Sequence, residues 1–359
     1  MKKFSILGTL TLAILLLSCE QSHTDQKELQ KMNELQVIGS HNSYKIGIEQ
    51  PVLDFIAKKD SMTALSLAYE HIPLSDQLDL GLRNLEMDVF HDPQGGRYKH
   101  PKAIAMLNAR GISTLPFDEA NKLNEPGLKM FHVQDIDFRS HHLLFKDGLK
   151  ELLSWSKQNP KHSPIIILIN AKDDNSPEVT PALPFTAAAL DSIDLEIRAV
   201  MPAEKLITPD LVRGDHISLE EAVTTNGWPA LDEVRGRFLF VLDEKEVKIN
   251  RYLEMHPNLQ NAALFVNIKE GNPNAGFRII NDPVKNHDHI KDLVSKGYMI
   301  RTRADAGTLE ARHNDYNRFE QAKSSGAQVI STDYYVPSKL FESEFQVRFE
   351  DGSFERERP

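Results

Sequence analysis

Eight short apolar runs recur along the chain: "LQVIG" (35–39), "LRNLEMDVF" (82–90), "LKMFHV" (128–133), "PIIILIN" (164–170), "RFLFVLD" (237–243), "AALFVNI" (262–268), "YMIRTRA" (298–304) and "AQVISTDY" (327–334). Each has the length of a buried strand. Between many of them lie stretches with helical spacing of apolar residues, such as 142–158, 186–201 and 314–326. Strands alternating with helices imply parallel βαβ units, because a parallel neighbour can be reached only by a crossover. Eight strands are the number that closes, so the expected fold class is α/β, a TIM-type (β/α)8 barrel. An open doubly wound sheet is the other arrangement of such units. No glycine-rich phosphate turn follows the first run, as the dinucleotide binders of that fold require.

No repeat of fixed period and no low-complexity linker divides the chain, so 34–345 reads as one barrel domain. Lys45 to Gln77 reads as a long insertion after the first strand, and Asp173 to Pro184, with three prolines, as a loop. The last stretch, 346–359, is charged and is expected to be a loose tail.

The first residues read differently. Lys2 and Lys3 precede an apolar run from Phe4 to Leu17 that ends in "LLSC", the layout of a secretory signal over 1–19. The run is too short to be a good membrane span. Ser18 before Cys19 resembles a bacterial lipobox, which makes Cys19 a lipidated N-terminus and places the mature chain in the cell envelope as an exported lipoprotein, periplasm-facing or at the surface. Residues 20–33 are then a flexible polar tether between membrane and barrel. Cys19 is the only cysteine, so an intramolecular disulfide is excluded and stability must come from the core. The formal charge is −10, and removing Lys2 and Lys3 makes it −12 (−10 − 2), which argues against nucleic acid as a partner.

The polar groups at the ends of the apolar runs carry the chemistry. Alternation along a strand puts Asn84, Glu86 and Asp88 on one face and Leu85, Met87 and Val89 on the other. In a barrel the acidic set looks toward the mouth, where two half-buried carboxylates repel each other unless a proton or a cation intervenes. Calcium and magnesium take carboxylate and amide oxygens, and Asn42 and Asn170, at two other strand ends, can supply amides. Zinc is not indicated: there is no cysteine cluster, and His287 and His289 read as a solvated helix face. His41 and His132 stand at two strand ends, and histidine both takes and gives a proton near neutral pH. Either alone reads equally well as a hydrogen-bonded barrel histidine. Together with Glu86 and Asp88 they mark a site at the C-terminal end of the strands. Lys172, Arg301 and Arg303 add cations suited to an anionic substrate, with Asp305 on the same face as the arginines. Asp333, Tyr334 and Tyr335 end the last run, where a ring can stack on a sugar-like face or simply cover the barrel.

"GSHNSY", "YEHIPLSDQLDLGLRNLEMDVFHDPQGGRYKHP", "FHVQDIDF" and "PIIILINAKDD" together resemble the bacterial calcium-dependent phosphoinositide-specific phospholipase C family, one of the barrel phosphodiesterases. The resemblance runs from about Leu35 to Val336, with "STDYY" as the closing strand. It implies that His41 and His132 are catalytic and that Asn42, Glu86 and Asp88 bind calcium, with Lys172, Arg303, Asp305, Asp333 and Tyr335 as substrate-binding candidates. Asn170 stands where the family usually places a glutamate. An amide can ligate calcium but brings no charge and cannot act as a base. The implied reaction is attack of the inositol 2-hydroxyl on the phosphodiester phosphorus of a phosphatidylinositol-type lipid, giving a cyclic inositol phosphate. Two other readings stand beside it. A glycerophosphodiester phosphodiesterase would start its site with histidine, arginine and glycine, and here Asn42 and Ser43 follow His41. A non-catalytic lipoprotein that binds polyol headgroups through calcium is suggested by Asn170.

Overall fold

Seven of the eight apolar runs form parallel strands of a single ring. In this computed structural model, which describes Met1 and residues 29–358, the ring strands are β1 (Leu35–Ser40), β2 (Asn84–Phe90), β3 (Ile165–Ala171), β4 (Phe238–Leu242), β5 (Leu264–Val266), β6 (Phe277–Ile279), β7 (Met299–Arg303) and β8 (Val329–Thr332). Each is parallel to the next in the chain. A single bridge between Asn267 and Phe277 joins β5 to β6, and β8 returns to β1 with Val37 opposite Val329. The barrel therefore closes. The signal segment 1–19 with Cys19, and tether residues 20–28, lie outside the described residues apart from Met1.

Amphipathic helices pack on the outside. Phe145–Gln158 buries Phe145, Leu149, Leu152 and Trp155, a spacing of three and four that lines one helix face. Ala187–Val200 is capped by Thr186, whose hydroxyl accepts from the Ala189 N–H at 3.2 Å, and buries Leu190, Ile193 and Ile197. Both supply the layer between strands and helices where the main core lies. The Lys45 to Gln77 insertion holds helices Gln50–Lys59 and Ser61–Leu67 and the start of Leu74–Leu80. No helix among the described residues is long and apolar enough to cross a membrane.

Four expectations are corrected. The run "LKMFHV" is no ring strand: only Lys129–Met130 is extended, and it pairs antiparallel with β2, Val89 opposite Met130. The reason lies in β1. It meets β2 at one register pair, Gly39 with Asn84, where a Cβ on Gly39 would lie 2.2 Å from the Asn84 carbonyl oxygen. Past that point the two strands part, β3 covers the other edge of β2, and the short strand takes the edge that β1 leaves free. The eighth ring strand is instead β6, three residues of "FRI" whose flanking "NPNAG" and "NDP" hid it.

The tail is not loose. Glu355–Glu357 pairs antiparallel with Leu35–Val37 of β1, and Val347, Phe349 and Phe354 are buried. Spaced apolar residues among many charges gave it a polar average that concealed its anchors. The end of the tether is docked too: Met32 is buried, its N–H donates to the Pro229 carbonyl at 3.0 Å, and Leu231 N–H donates to the Gln30 carbonyl at 2.8 Å.

Candidate active site

The loop after β1 is tied to β2 at the residue that matters. Ser43 N–H donates to the Glu86 carbonyl at 2.9 Å, and Glu86 N–H donates to the Ser43 hydroxyl at 2.8 Å. Asn42, directly before Ser43, has φ of 49°, a left-handed turn that asparagine tolerates better than most residues. The turn places His41 beside the C-terminal ends of β2 and β8. Its Nδ1 lies 2.9 Å from Asp333 Oδ1 and its Nε2 3.7 Å from Glu86 Oε1. The Asp333 carboxyl is pushed up by burial, but His41 and then Arg303 outweigh this and hold it well below the usual range. Arg303 reaches Asp333 at 3.1 Å.

Glu86 is the crossing point of the mouth. Arg301, almost fully buried, donates to one carboxylate oxygen and also to the Ser331 hydroxyl at 2.7 Å. Asn170 Nδ2 donates to the other oxygen at 3.1 Å. Burial raises the Glu86 carboxyl, while Arg301, His41 and Arg303 together bring it below its ordinary value. Asp88 faces Lys172 at 3.4 Å, and that carboxylate raises the lysine. His41, Glu86, Asn170, Lys172, Arg301 and Arg303 line one cavity of about 610 Å³ at the barrel mouth, with Asp243 and Glu244 on its far wall. Asp243 ends β4 next to Asn170 on β3, and burial followed by Glu86 pushes its carboxyl up to about 7.

His132 follows the inserted strand by two residues and does not line that cavity. Its Nδ1 meets Asp137 Oδ2 at 2.7 Å, and its side chain is 18% exposed. Asp137 is buried and lies 3.0 Å from the buried Lys45 Nζ. Burial raises the Asp137 carboxyl, but Lys45 and then His132 bring it below its ordinary value. Lys45 Nζ also stands 4.7 Å over the Tyr69 ring, whose hydroxyl accepts from Asn42 Nδ2 at 2.7 Å. The Tyr69 and His41 rings are 5.9 Å apart.

Two substrate-binding candidates lie elsewhere. Asp305 is fully buried behind Asp333, accepts from the Thr332 hydroxyl and from the Asp333 N–H at 3.1 Å, and is pushed up to about 7 by burial and then by Asp333. It cannot touch a ligand. Tyr335 is buried with its ring 5.5 Å from His71, and its hydroxyl accepts from Ile72 N–H at 3.2 Å. It lines a second cavity of about 320 Å³ with His71 and Asp333. Sequence reasoning missed Lys45, Tyr69, His71, Asp137 and Asp243. Asp137 stands inside "FHVQDIDF" and Lys45 directly follows "GSHNSY", but nothing local says that they meet.

A hard divalent cation suits the oxygens present. Asn42 and Asn170 each use their amide nitrogen in a hydrogen bond, to Tyr69 and Glu86, so the amide oxygens stay uncommitted. Glu86 and Asp88 add carboxylates. Among the described residues, no three His, Cys, Asp or Glu side chains form a metal-holding group, so the amides are needed to complete a ligand set.

Two solved structures share the fold: a calcium-dependent phosphoinositol-specific phospholipase C from Pseudomonas sp, in apo form with myo-inositol, at 15% identity over 91% of this chain and 95% of that one with a TM-score of 0.54; and a calcium-dependent phosphatidylinositol-specific phospholipase C from Streptomyces antibioticus, at 17% identity over 87% and 97% with a TM-score of 0.52. Among curated protein sequences none matches this chain. A family model described as "Phosphoinositide phospholipase C, Ca2+-dependent" matches residues 30–359. The chain belongs to the calcium-dependent phosphoinositide phospholipase C family of phosphodiester-cleaving enzymes.

Proposed function

We propose that the protein cleaves phosphatidylinositol-type phosphodiesters through a cyclic inositol phosphate, with His41 and His132 as the proton-handling pair. The observation that carries this reading is His41, anchored by Asp333 on one ring nitrogen and presenting the other to a cavity that also holds Arg303, Lys172 and Glu86. A histidine so held keeps a fixed tautomer and aim. His41 Nε2 takes the proton of the inositol 2-hydroxyl as its oxygen bonds to phosphorus. Arg303 and Lys172 meet the charge that grows on the phosphoryl oxygens. The bond to the diacylglycerol oxygen breaks, and His132 Nε2, with Nδ1 held by Asp137, gives that oxygen its proton. An internal nucleophile adds the advantage of proximity.

Glu86, Asp88, Asn42 and Asn170 would hold calcium, which lowers the pKa of the attacking hydroxyl and neutralises phosphoryl charge. Phosphorus NMR of the protein lacking residues 1–19, with phosphatidylinositol micelles in calcium and in excess chelator, tests the reaction. A cyclic inositol phosphate signal in calcium alone is expected. No product in calcium overturns the reading. Asn170 keeps the non-catalytic headgroup binder as a second reading: if an Asn170→Glu protein turns over where the parent does not, the native chain is that binder.

We also propose that Cys19 carries a lipid anchor and that the enzyme works at the cell envelope, on the support of "LLSC" after an apolar run. Cys19→Ala should move the protein from the membrane to the soluble fraction. Retention in the membrane would remove the anchor.

A further inference from the structure

We propose that Lys45 is a positioning residue for the general acid: it fixes the charge and place of Asp137, and through it the aim of His132. The inference rests on the assignment of His132 as the acid, and the test below separates the two.

Lys45 and Asp137 are each fully shielded from solvent in their side chains and lie 3.0 Å apart. Beyond this contact, neither Lys45 Nζ nor Asp137 Oδ1 has a hydrogen-bond partner among the described residues. The ion pair is therefore the polar contact that Nζ and Oδ1 share. A buried pair of this kind is weak evidence for stability, because desolvation offsets most of the attraction. Its presence asks for another use. The other oxygen of Asp137 supplies that use, since Oδ2 is the one that meets His132 Nδ1 at 2.7 Å.

The division of labour follows from the two oxygens. Lys45 takes Oδ1 and holds Asp137 ionised in a place where a carboxyl would otherwise retain a proton. Oδ2 then accepts from Nδ1–H, which leaves Nε2 as the nitrogen facing outward. Lys45 also offsets the negative charge that His132 senses. The turn that carries His41 also carries Lys45, four residues on, and the lysine reaches the second histidine's carboxylate. One loop thus sets both ends of the reaction. The Tyr69 ring beneath the ammonium, bonded through its hydroxyl to Asn42, holds the lysine from the other side.

The test uses two substrates of the whole enzyme in calcium: phosphatidylinositol, whose alkoxide leaving group needs a proton, and an inositol phosphodiester of p-nitrophenol, which departs without one. Lys45→Met should lose about a hundredfold in kcat on the first, the scale of a misaimed catalytic group, and less than about threefold on the second. Because a lone buried Asp137 charge destabilises the fold, Lys45→Met/Asp137→Asn removes both charges and should show the same substrate-selective loss with a melting temperature close to the parent's. Equal losses on both substrates, or none on either, in a folded variant would overturn the proposal. His132→Ala reports on the underlying assignment: a selective loss there with none in the Lys45 variants sinks only the role of Lys45, whereas an unselective His132→Ala sinks the acid assignment itself.

Discussion

The two histidines are held by the same kind of partner in opposite kinds of surroundings. His41 stands on the ring itself, where Asp333 is shared with Arg303 and the neighbouring Glu86 is shared with Arg301 and Asn170. His132 stands just past a two-residue strand laid against the ring, and its Asp137 has one cation, Lys45. The first carboxylate belongs to a network with several charges of each sign, and the second to an isolated pair. A network can lose a member and redistribute its hydrogen bonds. A pair cannot, and this difference is what substitutions expose.

The largest effects should be shared. His41→Ala and His132→Ala should each lower kcat by roughly a hundred- to ten-thousand-fold, the worth of a general acid or base, measured as cyclic phosphate release. A variant at near-parental rate removes that histidine from the chemistry and breaks the pairing of the two sites. The carboxylates should then separate them. Asp333→Asn and Asp137→Asn should each cost about a hundredfold in rate through a misaimed ring, but their stabilities should differ. Asp137→Asn strands a buried ammonium and should cost about 3–5 kcal/mol by denaturant melts. Asp333→Asn leaves Arg303 with Asp305 at 3.8 Å and should cost less. Equal costs would show that the network is no more forgiving than the pair.

Much of this was legible in the chain because a barrel needs alternation and closure. Glu86 and Asp88 follow from period-two spacing on a recognisable strand, and His41 with Asn42 from an apolar run that stops. What was not legible came from contacts without a local signature. The antiparallel strand before His132 depends on β1 and β2 parting after Gly39, which is a property of the whole ring. Lys45 and Asp137 are 92 positions apart (137 − 45) and ordinary as letters. Asp305 and Tyr335 share strand-end positions with true cavity residues, but Asp305 is buried behind Asp333 and Tyr335 faces the second cavity with His71, and alternation alone shows neither. The tail was misread because three buried apolar side chains are outnumbered by charges around them.

Asn170 offers a smaller effect on the metal side of His41. Its amide nitrogen donates to Glu86, so a carboxylate in its place would repel Glu86 in the metal-free protein and attract a cation. Asn170→Glu should lower the melting temperature in chelator and bind calcium about tenfold more tightly, as added ligand charge does. Calorimetry without any substrate reads both. Unchanged affinity would place calcium away from Asn170.

The smallest effect is a slope with pH, and it arises behind His41. His71 is buried with Nε2 at 2.7 Å from the His41 carbonyl and, among the described residues, no partner for Nδ1, and burial lowers its pKa from 6.5 to about 4 despite Asp333. Its contribution to stability is present above 6.5 and is lost as pH falls toward 4, because the unfolded chain takes up the proton first. Asp305 works the other way. Its carboxyl is raised from 3.8 to about 7 by burial and by Asp333, so its contribution is present below 3.8 and is lost as pH rises toward 7. Across the window the two slopes oppose each other, each bounded by about 1.4 kcal/mol per pH unit. Asp305→Asn removes one slope while keeping an oxygen for Thr332. Relative to the parent, that variant should lose stability as the pH is lowered from 6.5 to 4, and His71→Asn should gain it over the same range. Parallel curves for both variants and the parent would mean that neither group titrates as its burial requires, and the depth of the network behind His41 would have to be redrawn.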